Sequence, residues 1–533
     1  MYISHLSIHN FKRFRHLELE LNPRLNIIVG DNNSGKTTVL EAIHLALTGD
    51  FRGRPLADCL TPYLFTKEVA EEFLAGVRNG VHPAPPEIRI CVTVCSPRGL
   101  KIEIICAIVP AEAYLPLLYE AVSDPACDEL PVQFYTSRRY DSFDGCVVPL
   151  TSYLIDGDTS ESSFLHGLLG NSVSIDDHLR LRRLNASLRS IVSSDDAVAE
   201  LNALLSDSDT ATPTGSRLGI TAASAAPMQW SRLLSVSADG MPIASGGGGT
   251  RKSVATRLAA VCAAGRPASS VVLIEEPEEH LSFSSMQRHI AFLEKSVAGS
   301  QLILTTLSSY VANKLGLDSL TILSSDAHIT LRDIDAETSG FFRRLAGYDT
   351  LRMILAKRCI LVEGDSDELI IQKAYLQRYG RLPSDDGIDV VCVRGLAFRR
   401  YLALALPLRL HVSVVTDSDG APDKVLQRFD SYVRQSEGRI KVFTPTEILS
   451  ASDFSGKAPS DNFNYNTLEP HLLHCNTTRR FNRIFGTEFA DASAMLHHMR
   501  LNKNACAHAL FLTETTLHFP RYIEDAIAAS GDN

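Results

Sequence analysis

Leu25-Asn26-Ile27-Ile28-Val29-Gly30-Asp31-Asn32-Asn33-Ser34-Gly35-Lys36-Thr37-Thr38 is the stretch that decides the fold. An apolar run ends in Gly30, a second glycine follows at Gly35, and Lys36-Thr37 leads into TTVLEAIHLAL, whose apolar residues recur at helical spacing. This is G-x-x-x-x-G-K-[ST] in a strand, loop, helix setting. The glycines let backbone N–H groups wrap phosphate oxygens, and the helix N-terminus behind them favours anions. Asn32, Asn33, Ser34, Gly35, Lys36, Thr37 and Thr38 are therefore expected to bind ATP, with Lys36 on the β/γ-phosphates and Thr37 on an accompanying Mg²⁺. Upstream, the alternating runs YISHLSIHNF and HLELEL predict two strands.

The partner element of a P-loop is a buried strand tipped with acids, and Val271-Val272-Leu273-Ile274-Glu275-Glu276-Pro277-Glu278 has that form. Glu275 is expected on the metal and Glu276 as the base that polarises the attacking water. Between loop and partner strand, EIRICVTV, LKIEIICAIV, VQFYTS and CVVPLTSYLI predict an antiparallel subsheet. A segment of helical periodicity without strands then spans 159–225, as an inserted arm would. The domain plan is an ATPase domain in two parts, 1–158 and 226–348, around that insertion, and a second α/β domain over 349–533.

In the second domain two apolar runs end in acids: Leu361-Val362-Glu363-Gly364-Asp365-Ser366-Asp367 and Val414-Val415-Thr416-Asp417-Ser418-Asp419-Gly420. Neighbouring strands of an open parallel sheet point their carboxyl ends into one crevice, so Glu363, Asp417 and Asp419 can meet across about fifty residues. An all-oxygen set of this kind suits Mg²⁺ or Mn²⁺. Asp365 and Asp423 are nearby alternatives.

These motifs carry a resemblance. Asn10-Phe11-Lys12 with the Asn32–Thr38 loop resembles the ATPases of the SMC/RecF branch of the ABC superfamily. There a Ser-Gly-Gly signature completes the site of the opposite subunit, and Ser245, Gly246 and Gly247 stand where that element belongs. The resemblance implies a dimer with shared ATP sites and makes the helical insertion a dimerisation arm. Two departures stand out: Leu307 follows Thr305-Thr306 where the family has its switch histidine, which leaves slow hydrolysis or ATP binding alone open, and Gln133 is the one candidate for a Q-loop. The Glu and Asp-x-Asp pair resembles the Toprim domain, and the order of modules resembles OLD (overcoming lysogenization defect) nucleases. That family adds an acid four residues after the first Glu, an acid in T-L-E, and a late lysine, matched here by Asp367, Glu469 and Lys503. The resemblance implies two-metal cleavage of DNA, with Glu363, Asp417 and Asp419 around one ion, Asp367 and Glu469 around the other, and Lys503 offsetting transition-state charge. It also implies antiphage defence or DNA processing, with a helicase, reverse transcriptase or noncoding RNA as possible partners. The alternative is a DNA-binding clamp with an idle Toprim domain.

Bulk properties agree with this plan without deciding it. At 533 residues the chain exceeds what one core usually fills. Its 45% hydrophobic and 21% charged residues suit a globular protein, and no run reaches the roughly 18 apolar residues of a membrane span, so a cytoplasmic home is expected. The net charge of −10 speaks against coating nucleic acid by charge alone but permits a local basic groove. Arg394, Arg399, Arg400, the pair Arg138 and Arg139, and Arg180–Arg183 either line such a groove or decorate surfaces. The eleven cysteines read as buried thiols, Trp230 as a packing residue, and the histidines lack H-x-x-x-H or Cys/His spacing, which disfavours structural zinc.

Overall fold

The computed structural model describes residues 1–156 and 236–531, apart from 97–98, 125, 142–149, 239, 265–269, 297–298, 324–327, 332–334, 345–348, 357, 396, 457–458 and 460–461, together with scattered residues of 183–200. Most of the expected 159–225 insertion, Arg180–Arg182 and Trp230 therefore lie outside the described residues. Two compact units emerge: Met1–Ile28 with Asn32–Thr306, and Val29–Asp31 with Leu307–Asn533. They divide at Thr306/Leu307, whereas the sequence pattern changes near 349. Helix Ala336–Arg344 packs into the second unit, where Glu337 pairs with Arg400.

The first unit contains an antiparallel sheet in the order Phe14–Glu20, Tyr2–Phe11, Ile88–Cys95, Lys101–Pro110, Tyr135–Asp141. Alternation builds it: Leu6, Ile8, Leu17, Leu19, Ile90 and Val92 are buried while their neighbours along each strand face outward. Parallel strands run in the order Leu25–Gly30, Gln301–Thr305, Ser270–Glu275, Thr151–Ile155. Their near-continuous burial explains why they read as unbroken apolar runs. Thr151–Ile155 corrects the sequence expectation: the end of CVVPLTSYLI pairs in parallel with Val271–Ile274 instead of joining the antiparallel subsheet. Helix Lys36–Thr48 packs against strands of both sheets and is buried on nearly every side, so its sequence is apolar all round. Arg139 closes its C-terminus, donating Nε to Ala46 O (2.9 Å) and Nη2 to Leu47 O (2.6 Å), so this arginine is a helix cap. Gln301, buried, accepts from Ile3 N (2.7 Å) and donates to Ile3 O and Asn22 O (both 2.8 Å), tying the antiparallel sheet to the parallel strands.

The second unit is built on a parallel sheet ordered Ile388–Cys392, Arg358–Val362, His411–Val415, Ile440–Phe443. Helix Asp365–Tyr379 packs against Arg358–Val362 and Ile388–Cys392. Helices Leu468–Cys475, Thr478–Phe485, Ala492–Leu501, Lys503–Leu512 and Arg521–Gly531 follow in sequence and share its core through Leu472, Phe481, Met495, Leu510 and Ile523. Register decides the site: Leu361 is level with Val414, so Glu363 and Thr416 leave adjacent strands side by side. Among the described residues, no helix is long and apolar enough to cross a membrane, and ten cysteines are all free thiols. Burial pushes the Cys91 and Cys106 thiols up to about 11, which keeps both unreactive.

Candidate nucleotide and metal centres

In the first unit the P-loop lines an open cleft of about 670 Å³ with Glu276 and the hairpin tip residues Lys12 and Arg13. Gly35 has φ +96°, and a Cβ there would stand 2.3 Å from the Phe14 ring, so glycine is required for both conformation and space. Gly35→Ala is expected to cost about 2 kcal/mol or more of stability and to weaken nucleotide binding, checked by urea unfolding beside an ATP titration. Lys36 is 7% exposed at the helix N-terminus. Thr37 Oγ1 donates to Glu275 Oε1, so the hydroxyl and the carboxylate expected on one Mg²⁺ already touch. Burial raises the pKa of Glu275, with Asp156 and Glu276 adding to it while Thr37 opposes. Burial and Glu278 raise Glu276 as well, against Lys36 and Lys252.

Glu276 also sits at φ +41°, a backbone conformation that a side chain rarely adopts, and its N–H donates to Thr305 O at 3.0 Å. Lys252, on helix Gly248–Ala264 just after the glycine run, is nearly buried and donates to Glu276 O (2.8 Å) and Glu279 Oε2 (2.7 Å). Sequence reasoning passed over Lys252, which has no motif signal. Thr306 donates to Glu278 Oε1 at 2.7 Å, and Leu307 beyond it is exposed. Ser245 ends a short 3-10 turn, and Gly246 and Gly247 lead straight into helix Gly248–Ala264. Gln133 lies in the 3-10 turn Val132–Phe134, before the strand that carries Arg139.

In the second unit Glu363, Asp367, Asp417, Glu469 and Lys503 act on one another electrostatically. Thr416 Oγ1 donates to Glu363 Oε1, and Asp367 Oδ2 accepts from Gly364 N (3.1 Å), which fixes the carboxylate at the start of its helix. Glu469, 7% exposed, accepts from Thr467 Oγ1 (3.2 Å) and pairs with Lys503 Nζ at 2.9 Å. Burial first, then Glu363 and Glu469, push Asp367 up to about 7. Burial and the same acids with Asp367 hold Asp417 well above the carboxylate range. Burial disfavours the charged lysine, but Glu469, Asp417 and Asp367 outweigh it and raise Lys503. Burial and the acids Asp417, Asp367 and Glu469 likewise raise the hydroxyl of buried Tyr522 well above its ordinary value.

Asp419 stands apart. It is exposed, has φ +49°, and its Oδ1 accepts from Asn464 Nδ2 at 2.6 Å. Asp365 and Asp423 are exposed in the first turns of their helices. Arg400 is engaged by Glu337, Asp335 and Thr338, while Arg394 and Arg399 are exposed. Thr416, Asn464 and Tyr522 were missed from sequence, although Thr416 is inside the V-V-T-D-S-D motif and could have been included.

The sign of the pH dependence follows. A folded carboxyl with a raised pKa holds its proton more tightly than the unfolded chain does, so its stabilising contribution is full below about pH 4 and is lost as pH rises through about 7. The chelator-treated protein is therefore expected to lose thermal stability across that window, and excess Mg²⁺ is expected to restore it. Scanning calorimetry at pH 5 and pH 8 checks both.

The first unit, a parallel sheet fed by a P-loop and flanked by an antiparallel sheet, and the second, an acid cluster at the strand ends of a parallel sheet, give the chain the α/β plan of a P-loop domain followed by a Toprim-like domain. Residues 5–79 match the family model of an AAA domain, and residues 354–419 match that of the Overcoming lysogenization defect protein-like TOPRIM domain, so the Toprim domain is of the OLD-like kind. The DNA replication and repair protein RecF of Xanthomonas axonopodis pv. citri is 51% identical over 55 residues, 10% of this chain and 15% of RecF. RecF of Lactobacillus acidophilus is 45% identical over 53 residues, 10% and 14% of the two chains. The similarity thus spans only about 15% of these relatives' length. Among solved structures, the C-terminal region of the Burkholderia pseudomallei OLD protein is 20% identical, covering 33% of this chain and 98% of that one, at a TM-score of 0.25. The RecF–ATP structure of the RecFOR pathway is 12% identical, covering 62% and 98%, at a TM-score of 0.33.

Proposed function

We propose that this chain is an ATP-binding, divalent-metal-dependent DNA endonuclease whose Toprim acids cleave phosphodiester bonds. One observation carries the reading: four carboxylates and one lysine from four separate segments are gathered where burial makes their mutual repulsion costly. Such an arrangement is hard to maintain for structure alone, and it makes sense where cations are to be held. The donors fit Mg²⁺ or Mn²⁺, being carboxylate oxygens without a nitrogen or sulfur ligand among them. Glu363 and Asp417 would hold one ion, and Asp367 with Glu469 a second. Asp419, turned to Asn464, would join only after that hydrogen bond is released. The bound ions would supply a water activated at neutral pH and neutralise the leaving oxygen. Lys503, kept charged by its acidic neighbours, would add a positive charge beside the scissile phosphate.

In the ATPase unit, Lys36 and the loop N–H groups would bind the phosphates, and Thr37 with Glu275 would hold the associated Mg²⁺. Glu276 would orient water. Ser245, Gly246 and Gly247 would complete the site of a second subunit, because they precede a 17-residue helix whose first turn lines a cavity together with His280 and Arg288. The RecF matches support DNA as the polymer, and the OLD-like TOPRIM match supports its cleavage. A role in antiphage defence or DNA processing follows from the same resemblance.

The test uses supercoiled plasmid with Mg²⁺ or Mn²⁺, with and without ATP, and the variants Asp417→Ala and Lys36→Ala. Metal-dependent nicking or linearisation by the wild type and its loss in Asp417→Ala are expected. Equal cleavage by Asp417→Ala would overturn the Toprim assignment. The Lys36→Ala lane reports whether nucleotide licenses cleavage.

A further inference from the structure

The outward face of the N-terminal hairpin carries a pair of imidazoles. His9 and His16 are direct cross-strand partners, and Glu18 lies two residues along, on the same face of its strand. His9 Nδ1 and His16 Nδ1 are 3.3 Å apart. One ligand atom from each of His9, His16 and Glu18 lies within 4.8 Å of the other two, and this is the one such trio of His, Cys, Asp or Glu among the described residues. A tetrahedral zinc with Zn–N bonds of about 2.0–2.1 Å sets two ligating nitrogens about 3.3–3.4 Å apart, so the imidazoles already stand at the required separation.

The carboxylate is steadied by two further groups on the neighbouring strand. His5 Nε2 lies 2.7 Å from Glu18 Oε2, and Ser7 Oγ donates to Oε1 at 3.2 Å. His16 Nε2 is 3.8 Å from the same Oε1. Arg89, the cation opposite His9 on the adjoining strand, pairs instead with Glu87 at 3.9 Å. We propose that His9, His16 and Glu18 form a binding site for a divalent transition metal of the zinc type, with His5 positioning the carboxylate and water completing the coordination. Imidazole nitrogen favours zinc, copper or nickel over magnesium, which separates this site chemically from the all-oxygen centres of the P-loop and the Toprim acids. The ligands were invisible to spacing rules because they meet across strands. The site stands two residues behind the Phe11–Phe14 pair, and the hairpin tip beyond lines the nucleotide cleft.

The full chain is titrated with Zn²⁺ against a competing zinc indicator in excess Mg²⁺. One equivalent that Mg²⁺ does not displace is expected, absent from His9→Ala/His16→Ala, and held about 10-fold more weakly or worse in His5→Ala. Co²⁺ in place of Zn²⁺ should give the visible absorption of a tetrahedral nitrogen-ligated ion, lost in the same double variant. If the double variant loses helical circular dichroism, His16→Asn alone, at a position 56% exposed, carries the same expectation. Zinc uptake unchanged in a folded variant, or no uptake in the presence of Mg²⁺, overturns the proposal.

Discussion

Replacing Asp417 by asparagine is expected to lower metal-dependent cleavage by about 10²–10³-fold or more and, in chelator, to raise the temperature of unfolding. The two effects have one cause. Asp417 is half-buried among Glu363, Asp367 and Glu469, with Lys503 as the cation of the cluster, and burial with those acids holds its pKa well above normal. Without metal the folded state must either carry buried charges or hold protons that the unfolded chain would release. Removing one carboxylate relieves desolvation and repulsion together, worth on the order of 1–3 kcal/mol. Plasmid cleavage and calorimetry on the same preparation measure both quantities. A variant that loses activity and is also markedly less stable in chelator would mean that Asp417 serves packing or hydrogen bonding, and the metal pocket would lose its main support.

Lys36→Ala is expected to weaken ATP binding by about 10–100-fold, the range for losing a hydrogen bond to a charged group, and Glu276→Gln to retain ATP while slowing its turnover. Lys36 is almost fully buried where it lines the cleft with Glu276, and its charge lowers the pKa of that carboxyl. Alanine removes the phosphate contact and also the positive charge that offsets Glu276. Isothermal titration with a slowly hydrolysed ATP analogue, followed by phosphate release, separates the two variants. ATP affinity unchanged in Lys36→Ala would place the nucleotide elsewhere.

Much of this was legible because the decisive contacts are local or lie at strand ends. The P-loop, Glu275 and Glu276 are fixed by short motifs whose geometry the backbone imposes. Glu363 and Asp417 follow from the rule that adjacent parallel strands end at one crevice, and the observed register supplies the rest. Asp419 shows the limit. An extended D-x-D would set its two acids on one face, but the backbone turns at Asp419 (φ +49°), and nothing in the sequence announces that turn or that Asn464 engages the second acid. The strand Thr151–Ile155 was misplaced because a short apolar run reads alike in a parallel and an antiparallel sheet. Lys252 and Gln301 were missed because a single polar residue on a buried face carries no pattern, although their hydrogen bonds join distant segments. The His9 and His16 pair escaped for a related reason, since register across a turn is not written as spacing along the chain.

The acids and their lysine are strung along the chain from Glu363 to Lys503, and this has a consequence for biosynthesis. A ribosome makes Glu363, Asp367, Asp417 and Glu469 before it makes Lys503, which pairs with Glu469 and offsets the others, and the helix carrying Tyr522 comes later still. Until those late segments dock, the growing polypeptide carries its carboxylates without the lysine that offsets them. On the proposed reading, the acids gathered first would become a working site only once the segments carrying Lys503 and Tyr522 have been made and have docked.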